Sequence, residues 1–238
     1  MRIAILSDIH GNRTAFEAVL KDLRETSPDL VFHGGDLADG GSSPVEIIDQ
    51  IRDFGWPGVV GNTDEMLAKP EVFEEFARQR PNLHSIWTAT REMARVTREW
   101  LGEERLSWLR ELPFRQVQDS VHLIHAHPES CWIAPGPDAS DADLECYRAL
   151  NRPIAAYGHI HLPYIRKMSN LTVANSGSVG MPFDGDRRAS YLLINGVEAT
   201  VRRVEYDVDR EILVLMQCGL PHADWIARIL STGFPQLP

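Results

Sequence analysis

Cysteine is scarce in this 238-residue sequence, which contains only Cys131, Cys146 and Cys218. No two of them have the spacing of a Cys-x-x-Cys motif, and the odd count leaves at least one without a partner. A disulfide framework is therefore not expected, which fits a reducing compartment.

Long hydrophobic runs are lacking as well. The N-terminal apolar segment from Ile3 to Leu6 soon meets Ser7 and Asp8, so it is too short for a signal peptide or a membrane span. No later stretch reaches the length that a bilayer requires. We therefore predict a cytoplasmic protein with no membrane partner.

Positive charge is outnumbered, with 24 Lys and Arg residues against 34 Asp and Glu residues and a formal net charge of −10. This balance argues against stable binding to nucleic acid or to an anionic membrane, which normally requires a basic surface. Phosphate chemistry is not excluded, because bound metal ions can supply local positive charge. An apolar content of 43% and a charged content of 24% are typical of a soluble globular protein. We expect one domain over residues 1–238.

The first quarter of the chain alternates predicted strands and helices. Their order is strand Ile3–Leu6, helix Arg13–Arg24, strand Leu30–Phe32, helix Pro44–Phe54 and strand Val59–Val60. Asn12 is placed to cap the first helix, and Ser43 to cap the second, with proline next and a glutamate three residues later. This β-α-β-α-β order predicts parallel strands with right-handed crossovers.

The remainder of the chain begins with a helical insertion at about residues 65–112, which could form a lid or a dimer contact. Strands are predicted at Val121–Ile124 and Ile154–Tyr157. Two hairpins should follow, turning at Ser169-Asn170 and at Asn195-Gly196. Two helices, at about Val208–Gln217 and His222–Leu230, should end the chain.

Seven side chains with metal-binding atoms follow the predicted strands, where apolar runs give way to glycine or a turn. They are Asp8, His10, Asp36, Asn62, His125, His159 and His161. Each is an oxygen or imidazole donor and none is a thiol, which suits a pair of divalent cations. Open α/β sheets bind ligands beyond the carboxyl ends of their strands. We therefore predict a two-metal site of the kind that hydrolyses phosphate esters.

Each donor segment, taken alone, has a simpler explanation. Asp36 lies in a Gly-rich segment, where turn aspartates are common. Thr63 or Asp64 could cap a helix after Asn62. A lone histidine is usually a surface or core residue, as we expect for His33, His84, His122 and His222. The five segments together are harder to explain in this way, because each follows a predicted strand.

The motifs also resemble those of a known family. They are Asp8-x-His10, Gly35-Asp36, Gly61-Asn62-x-Asp64, His125, Gly158-His159-x-His161 and the stretch Asn175–Gly180. In this order they are similar to the motifs of the calcineurin-like metallophosphoesterases, especially the small bacterial and archaeal phosphodiesterase-type members. The resemblance covers nearly the whole chain, with the helical insertion as its least similar part.

This resemblance implies a fold and a set of metal ligands. The fold is a four-layer α/β/β/α sandwich with mixed sheets and the metals at one edge. Three residues would bind the first ion: Asp8, His10 and His161. Three others would bind the second ion: Asn62, His125 and His159. Asp36 would bridge the two ions, of which manganese is expected first, with iron, zinc, nickel or cobalt as alternatives.

The expected reaction is hydrolysis of a phosphoester, most simply a phosphodiester, by a hydroxide held between the two ions. Asp36 and Asn62 would then serve catalysis as well as metal binding. Many members of the family carry histidine where this chain has Thr63, held by the aspartate that follows, here Asp64. Threonine cannot protonate a leaving group near neutral pH, so we consider His127 as a substitute donor, with a solvent-facing loop histidine as the alternative. A missing general acid would favour substrates with good leaving groups.

Other functions remain open at this stage. The same chemistry would suit a phosphomonoesterase, a protein phosphatase or a dinucleoside-polyphosphate hydrolase. A non-catalytic scaffold is a further alternative, although all seven positions carry competent donors. The expected partner is a small phosphoester or a nucleotide-type substrate, and homo-oligomerisation is left open. Trp132 in the loop 128–137 could stack on a substrate base, but we favour a tryptophan anchored on the core.

Overall fold

The computed structural model describes all residues 1–238. It contains nine strands, eight α-helices and two 3-10 helices. In chain order the strands are β1 (Arg2–Leu6), β2 (Leu30–His33), β3 (Arg115–Gln118), β4 (Val121–Ile124), β5 (Ile154–Tyr157), β6 (Tyr164–Lys167), β7 (Thr172–Asn175), β8 (Ala189–Asn195) and β9 (Glu198–Val204). The α-helices are α1 (Arg13–Thr26), α2 (Pro44–Phe54), α3 (Asn62–Ala68), α4 (Pro70–Arg78), α5 (His84–Arg110), α6 (Asp141–Leu144), α7 (Val208–Gln217) and α8 (Ala223–Thr232), and the 3-10 helices are Pro81–Leu83 and Glu145–Leu150.

The strands form two mixed sheets. The first has the order β2-β1-β8-β9, in which β1 and β2 run parallel and the other pairs antiparallel. The second has the order β3-β4-β5-β7-β6, with β4, β5 and β7 parallel and antiparallel strands at both edges. Both predicted hairpins are present, as β6–β7 and β8–β9.

The two sheets pack face to face, and alternation along β1 explains how. Ile3 and Ile5 point into a core shared with strands of the second sheet, including Leu123 of β4 and Ala156 of β5. The residues of β1 that alternate with these two point to the other face of the sheet and join the core beneath the helices. The period of two therefore gives β1 two buried faces, as its continuous apolar sequence predicted.

Helices cover the outer faces of both sheets. Helices α1 and α2 pack on the first sheet through a core that contains Phe16 and Ile48. The second sheet is covered by α6 and the 3-10 helix that follows, through Tyr147 and Leu150. The layers are thus helix, sheet, sheet and helix, which confirms the predicted four-layer sandwich.

The helices predicted over 65–112 are α3, α4 and α5. Helix α5 is interrupted at Gly102, whose φ of 67° and ψ of 170° are not helical. The part of α5 that contains Ala89 and Met93 packs against α8, through a cluster that includes Trp225 and Ile229. No helix combines the length and apolarity needed to cross a membrane.

Two local predictions were wrong, and one strand was not predicted. Val59–Val60 is not a strand, because the segment meets β2 only through one bridge between His33 and Gly58, and the Val60 N–H donates to the carbonyl of Pro113 instead. Strand β3 was missed, since its sequence Arg-Gln-Val-Gln has no apolar run. Ser43 precedes α2 but makes no side-chain capping bond, whereas Asn12 accepts the Ala15 N–H at 2.9 Å as predicted.

Candidate metal centre

The donors of the predicted first ion meet at the carboxyl ends of β1 and β2. Ligand atoms of four buried residues all lie within 4.8 Å of one another: Asp8, His10, Asp36 and His161. Nε2 of His161 lies 3.1 Å from Oδ1 of Asp8 and 3.2 Å from Nε2 of His10. The loops after β1, β2 and β5 supply these residues, although the chain separates them by up to 153 positions, from Asp8 to His161.

Backbone carbonyls orient the two imidazoles of this group. Nδ1 of His10 donates to the carbonyl of Asp39 at 2.7 Å, and Nδ1 of His161 donates to the carbonyl of Met181 at 2.5 Å. A carbonyl can only accept, so each Nδ1 carries a proton and the Nε2 of each ring is directed toward the cluster. Phe183 stacks on the ring of His161, with centroids 4.3 Å apart.

The donors of the predicted second ion form an adjoining group. Oδ1 of Asn62 lies 3.0 Å from Nε2 of His125 and 2.8 Å from Nδ1 of His159. The His125 ring is held like those of the first group, since its Nδ1 donates to the carbonyl of Gly34 at 2.7 Å. The amide of Asn62 could be reversed so that its nitrogen donates to both rings. A cation among these atoms favours the orientation with oxygen inward, because it needs lone pairs on every side.

Asp36 lies between the two groups with one oxygen directed to each. Oδ2 is 3.8 Å from Nε2 of His10, and Oδ1 is 3.5 Å from Nε2 of His125. Oδ1 also accepts the backbone N–H of Thr63 at 2.9 Å. A single carboxylate therefore faces both donor groups, which is the arrangement that a bridging ligand requires.

Five of the seven donors have left-handed backbone conformations. Their φ angles lie between 49° and 67°, at Asp8, His10, Asp36, His159 and His161. Such angles are uncommon for residues other than glycine and carry a conformational cost. Neighbouring glycines allow close packing: a Cβ on Gly158 would overlap Oγ of Ser7 and Oδ2 of Asp8. The fold thus holds these side chains in strained but well-defined positions.

Burial and close charges shift the pKa values of the donors in different directions. Burial alone would raise the pKa of Asp8, but His161 and two further imidazoles hold it well below its usual range. Burial, and then the neighbouring His125, lower the pKa of His159 to about 4. Burial and His161 also lower the pKa of His10, so both rings are neutral at pH 7 and able to bind metal.

Comparison with known proteins agrees with this geometry. The sequence profile described as "Calcineurin-like phosphoesterase superfamily domain" matches residues 1–198. The chain belongs to this superfamily. It is accordingly a metallophosphoesterase, a hydrolase that acts on phosphoester bonds.

Individual relatives of this metallophosphoesterase cover all or part of the chain. It is 29% identical over 254 residues to an uncharacterised protein of Methanocaldococcus jannaschii, an alignment that spans 97% of this chain and 98% of the relative. It is similar in structure to a metallophosphoesterase from Sphaerobacter thermophilus, with a TM-score of 0.80, 26% identity and coverage of 98% of this chain and 100% of the other. A symmetrical bis(5'-nucleosyl)-tetraphosphatase of Cronobacter sakazakii is 26% identical over 63% of this chain and 51% of its own length.

Asp64 links two loops of the donor site in this metallophosphoesterase. Its carboxylate accepts the backbone N–H groups of Asp36 at 2.8 Å, Leu37 at 3.0 Å and Gly61 at 3.0 Å. It thereby joins the loop that carries Asp36 to the start of α3, where Asn62 is the first residue. Burial and the carboxylate of Asp36 raise the pKa of Asp64 to about 6, against the backbone donors, which lower it.

Thr63 and His127 differ in their relation to the cluster. Thr63 lines a cavity beside the donors, and its buried hydroxyl has no partner in the protein. His127 does not line this cavity, and its Nδ1 accepts the backbone N–H of Glu129 at 3.2 Å. Trp132 is also outside the cavity; it packs on Phe73 and donates to Glu65 at 2.7 Å, as expected of a core-anchored residue.

Sequence reasoning missed Asp39, which lines the same cavity and is only 3% exposed. Burial raises the pKa of this carboxyl to about 7, with Asp36 and Asp64 contributing further. Its backbone carbonyl is the group that orients His10. No sequence signal could have revealed that the Asp39 carbonyl orients His10, because every residue type supplies a backbone carbonyl.

Proposed function

We propose that this chain is a dinuclear metal-dependent phosphodiesterase. The observation that carries the proposal is the position of Asp36, whose two oxygens face separate groups of donors. The first group would hold one cation through Asp8, His10 and His161, and the second another through Asn62, His125 and His159. Carboxylate, amide and imidazole donors suit manganese, with iron, zinc, nickel or cobalt as alternatives.

Two divalent cations held by these donors would supply Lewis-acid charge to a phosphoryl group and a water-derived nucleophile at neutral pH. The protein's own groups then hold the substrate. Oδ1 of Asn62 is directed to the imidazoles, which leaves its Nδ2 free to donate to a phosphoryl oxygen. Thr63 also lines the cavity, although its unpartnered hydroxyl oxygen is buried.

The diester preference rests on the absence of a histidine general acid from the cavity, apart from the histidines of the donor set. Thr63 cannot protonate a leaving group near neutral pH, and His127 does not line the cavity. General-acid assistance is typically worth about 10²–10⁴-fold, so a site without a histidine acid favours esters whose alcohol leaves readily. Activated diesters are therefore the proposed substrate class.

The proposed location is the cytoplasm, which is in keeping with three free cysteines.

A second candidate is hydrolysis of dinucleoside polyphosphates. The partial similarity to the bis(5'-nucleosyl)-tetraphosphatase of Cronobacter sakazakii favours it, because the leaving group of such a substrate is itself a stable phosphate. The alignment covers about half of that protein.

A substrate panel tests both candidates. The protein would be assayed with manganese on bis-p-nitrophenyl phosphate, p-nitrophenyl phosphate, cyclic nucleotides and diadenosine tetraphosphate, with its bound metal counted by mass spectrometry. We expect two ions per chain and the highest kcat/KM with the diester. A higher kcat/KM for the monoester or for diadenosine tetraphosphate would contradict the diester preference, and one ion per chain would contradict the dinuclear site.

A further inference from the structure

The cavity beside the donors has two unlike ends. Its volume is about 300 Å³, and one end is formed by donor residues such as His10 and Asn62. The other end is apolar and is built from α5, α8 and the loop after β7. Six of its side chains are Ile86, Met93, Met181, Phe183, Ile226 and Ile229. A substrate phosphate at the donor end would therefore place one of its substituents against a hydrocarbon wall.

Fixed positive charge is absent from this cavity. Its 18 lining residues include no lysine or arginine, and the acidic ones are Asp36 and Asp39. A single phosphoryl group could be neutralised by cations at the donor end. A second phosphate would lie further along the cavity, where no cationic side chain replaces the water it loses. The wall thus selects against polyphosphate substrates.

Polar groups at the apolar end are also few. The indole N–H of Trp225 is already donated to the carbonyl of Gln236 at 2.8 Å. The hydroxyl of Thr90 and the side-chain amide of Gln236 are the polar side-chain groups left there. A nucleobase, which carries several donors and acceptors, would leave most of them unpaired, whereas an alkyl or aryl group would leave none.

We propose that the substrate is an ester of a single phosphate whose alcohol is uncharged and apolar, and that this alcohol binds in the apolar end of the cavity. The inference rests on the proposed function, since it places the phosphate at the donor end. A volume of about 300 Å³ lies at the lower end of the range of about 300–1,000 Å³ that small-molecule pockets span. This is enough for a phosphoryl group with a short alkyl chain or one aromatic ring.

Binding of non-hydrolysable phosphonates tests the proposal without a turnover measurement. Methyl-, butyl-, octyl- and phenylphosphonate would be titrated calorimetrically into the manganese-loaded protein, with methylenediphosphonate and AMP for comparison. We expect the affinity to rise about threefold to fourfold for each methylene buried, until the cavity is full. Equal affinity along the alkyl series, or tighter binding of methylenediphosphonate or AMP than of butylphosphonate, would overturn the proposal.

A charge introduced into the wall provides a second test. Thr90 lines the cavity and is half-buried, so Thr90→Arg can place a cation at its edge without disrupting a tightly packed core. We expect Thr90→Arg to weaken the binding of octylphosphonate by at least about tenfold, which corresponds to the loss of about two buried methylenes. The same variant should bind methylenediphosphonate more tightly. Thr88→Arg on the same helix is the matched control, because Thr88 does not line the cavity, and it should change neither affinity. Equal effects of the two variants would overturn the proposal.

Failure of this inference can be told apart from failure of the proposed function. If the protein binds two ions and hydrolyses bis-p-nitrophenyl phosphate but shows flat phosphonate affinities, only the apolar pocket is refuted. If it neither loads two ions nor hydrolyses the diester, the proposed function itself is refuted, and the inference with it.

Discussion

Nε2 of His10 lies 3.2 Å from Nε2 of His161, although the Nδ1 atom of each ring donates to a backbone carbonyl. The two Nε2 atoms therefore face each other in the cluster, and Oδ1 of Asp8 lies 3.1 Å from Nε2 of His161. Burial, and then His161, lower the pKa of His10, which favours the form of that ring able to bind a metal. A cation bound by both nitrogens would occupy the space between them, and the carbonyls that hold the Nδ1 atoms orient both rings for it.

Metal removal should consequently destabilise the folded protein. A ligand that binds only the native state adds about 2.7 kcal/mol to the free energy of unfolding at one hundred times its Kd. We expect chelation with EDTA to lower the urea midpoint and manganese to restore it. His161→Ala should reduce the response to manganese, because it removes one donor and the close contact together. A midpoint that is the same with and without manganese would contradict metal binding at this site.

Asp36→Asn should abolish turnover and reduce the metal content. Asparagine keeps the shape of the side chain but offers one neutral oxygen, so it cannot serve both donor groups. Removing a group that only orients a metal ligand typically reduces activity by about 10–100-fold. We expect the loss of activity in Asp36→Asn to be larger than this. Metal content by mass spectrometry and kcat with bis-p-nitrophenyl phosphate are the measurements. Asp119→Asn, at an exposed turn, is the control and should keep its metal content and its kcat. Full activity of Asp36→Asn would refute the bridging role.

Asp64→Asn should weaken the site by loosening its loops. The carboxylate accepts three backbone N–H groups, whereas an asparagine side chain would turn an N–H₂ group toward at least one of them. We expect a decrease of about 1.5–3 kcal/mol in the free energy of unfolding, the range for hydrogen bonds to charged groups. If the role is positioning, saturating manganese should restore most of kcat. If kcat stays low with both metal sites filled, Asp64 acts in the reaction itself.

Much of the fold and of the donor set could be predicted because both depend on local patterns. The seven donors lie where an apolar run gives way to glycine or a turn, and the structure brings them together as two groups with Asp36 between them. The hairpin at Asn195-Gly196 is equally local, since its turn residues alone favour it. What sequence reasoning missed depends on contacts between distant segments. Strand β3 is polar and exists through its pairing with β4.

The cavity shows the same limit more clearly. Its wall includes both Ile86 of α5 and Ile226 of α8, which are 140 positions apart in the sequence. Either residue alone is ordinary core material, so no pattern in the sequence marks them as part of a binding site. The orienting carbonyls of Asp39 and Met181 are invisible for a different reason, because the backbone has the same chemistry at every position.

His33 should make stability depend on pH below neutrality. Its ring is 1% exposed, and burial lowers its pKa from 6.5 to about 3. At pH values between these two pKa values, the unfolded chain therefore binds a proton that the folded chain does not. The free energy of unfolding should fall by about 1.4 kcal/mol per pH unit as the pH decreases through that window. His33→Leu should remove this contribution, as shown by urea unfolding between about pH 7 and pH 4. An unchanged slope in the variant would mean that other groups account for the acid sensitivity.

Replacing a donor that has a left-handed backbone should reverse the usual order of glycine and alanine. His159 has a φ of 67°, where alanine is strained by about 1–2 kcal/mol and glycine is not. In metal-free protein, His159→Gly should therefore be more stable than His159→Ala by about 1 kcal/mol, because both variants lose the same imidazole. His122 in β4 is the matched control: it has no left-handed angle, so its glycine variant should be the less stable by about 0.5–1 kcal/mol. Urea unfolding of the four variants decides the matter, and the same order at both positions would show that the donor loops relax without cost.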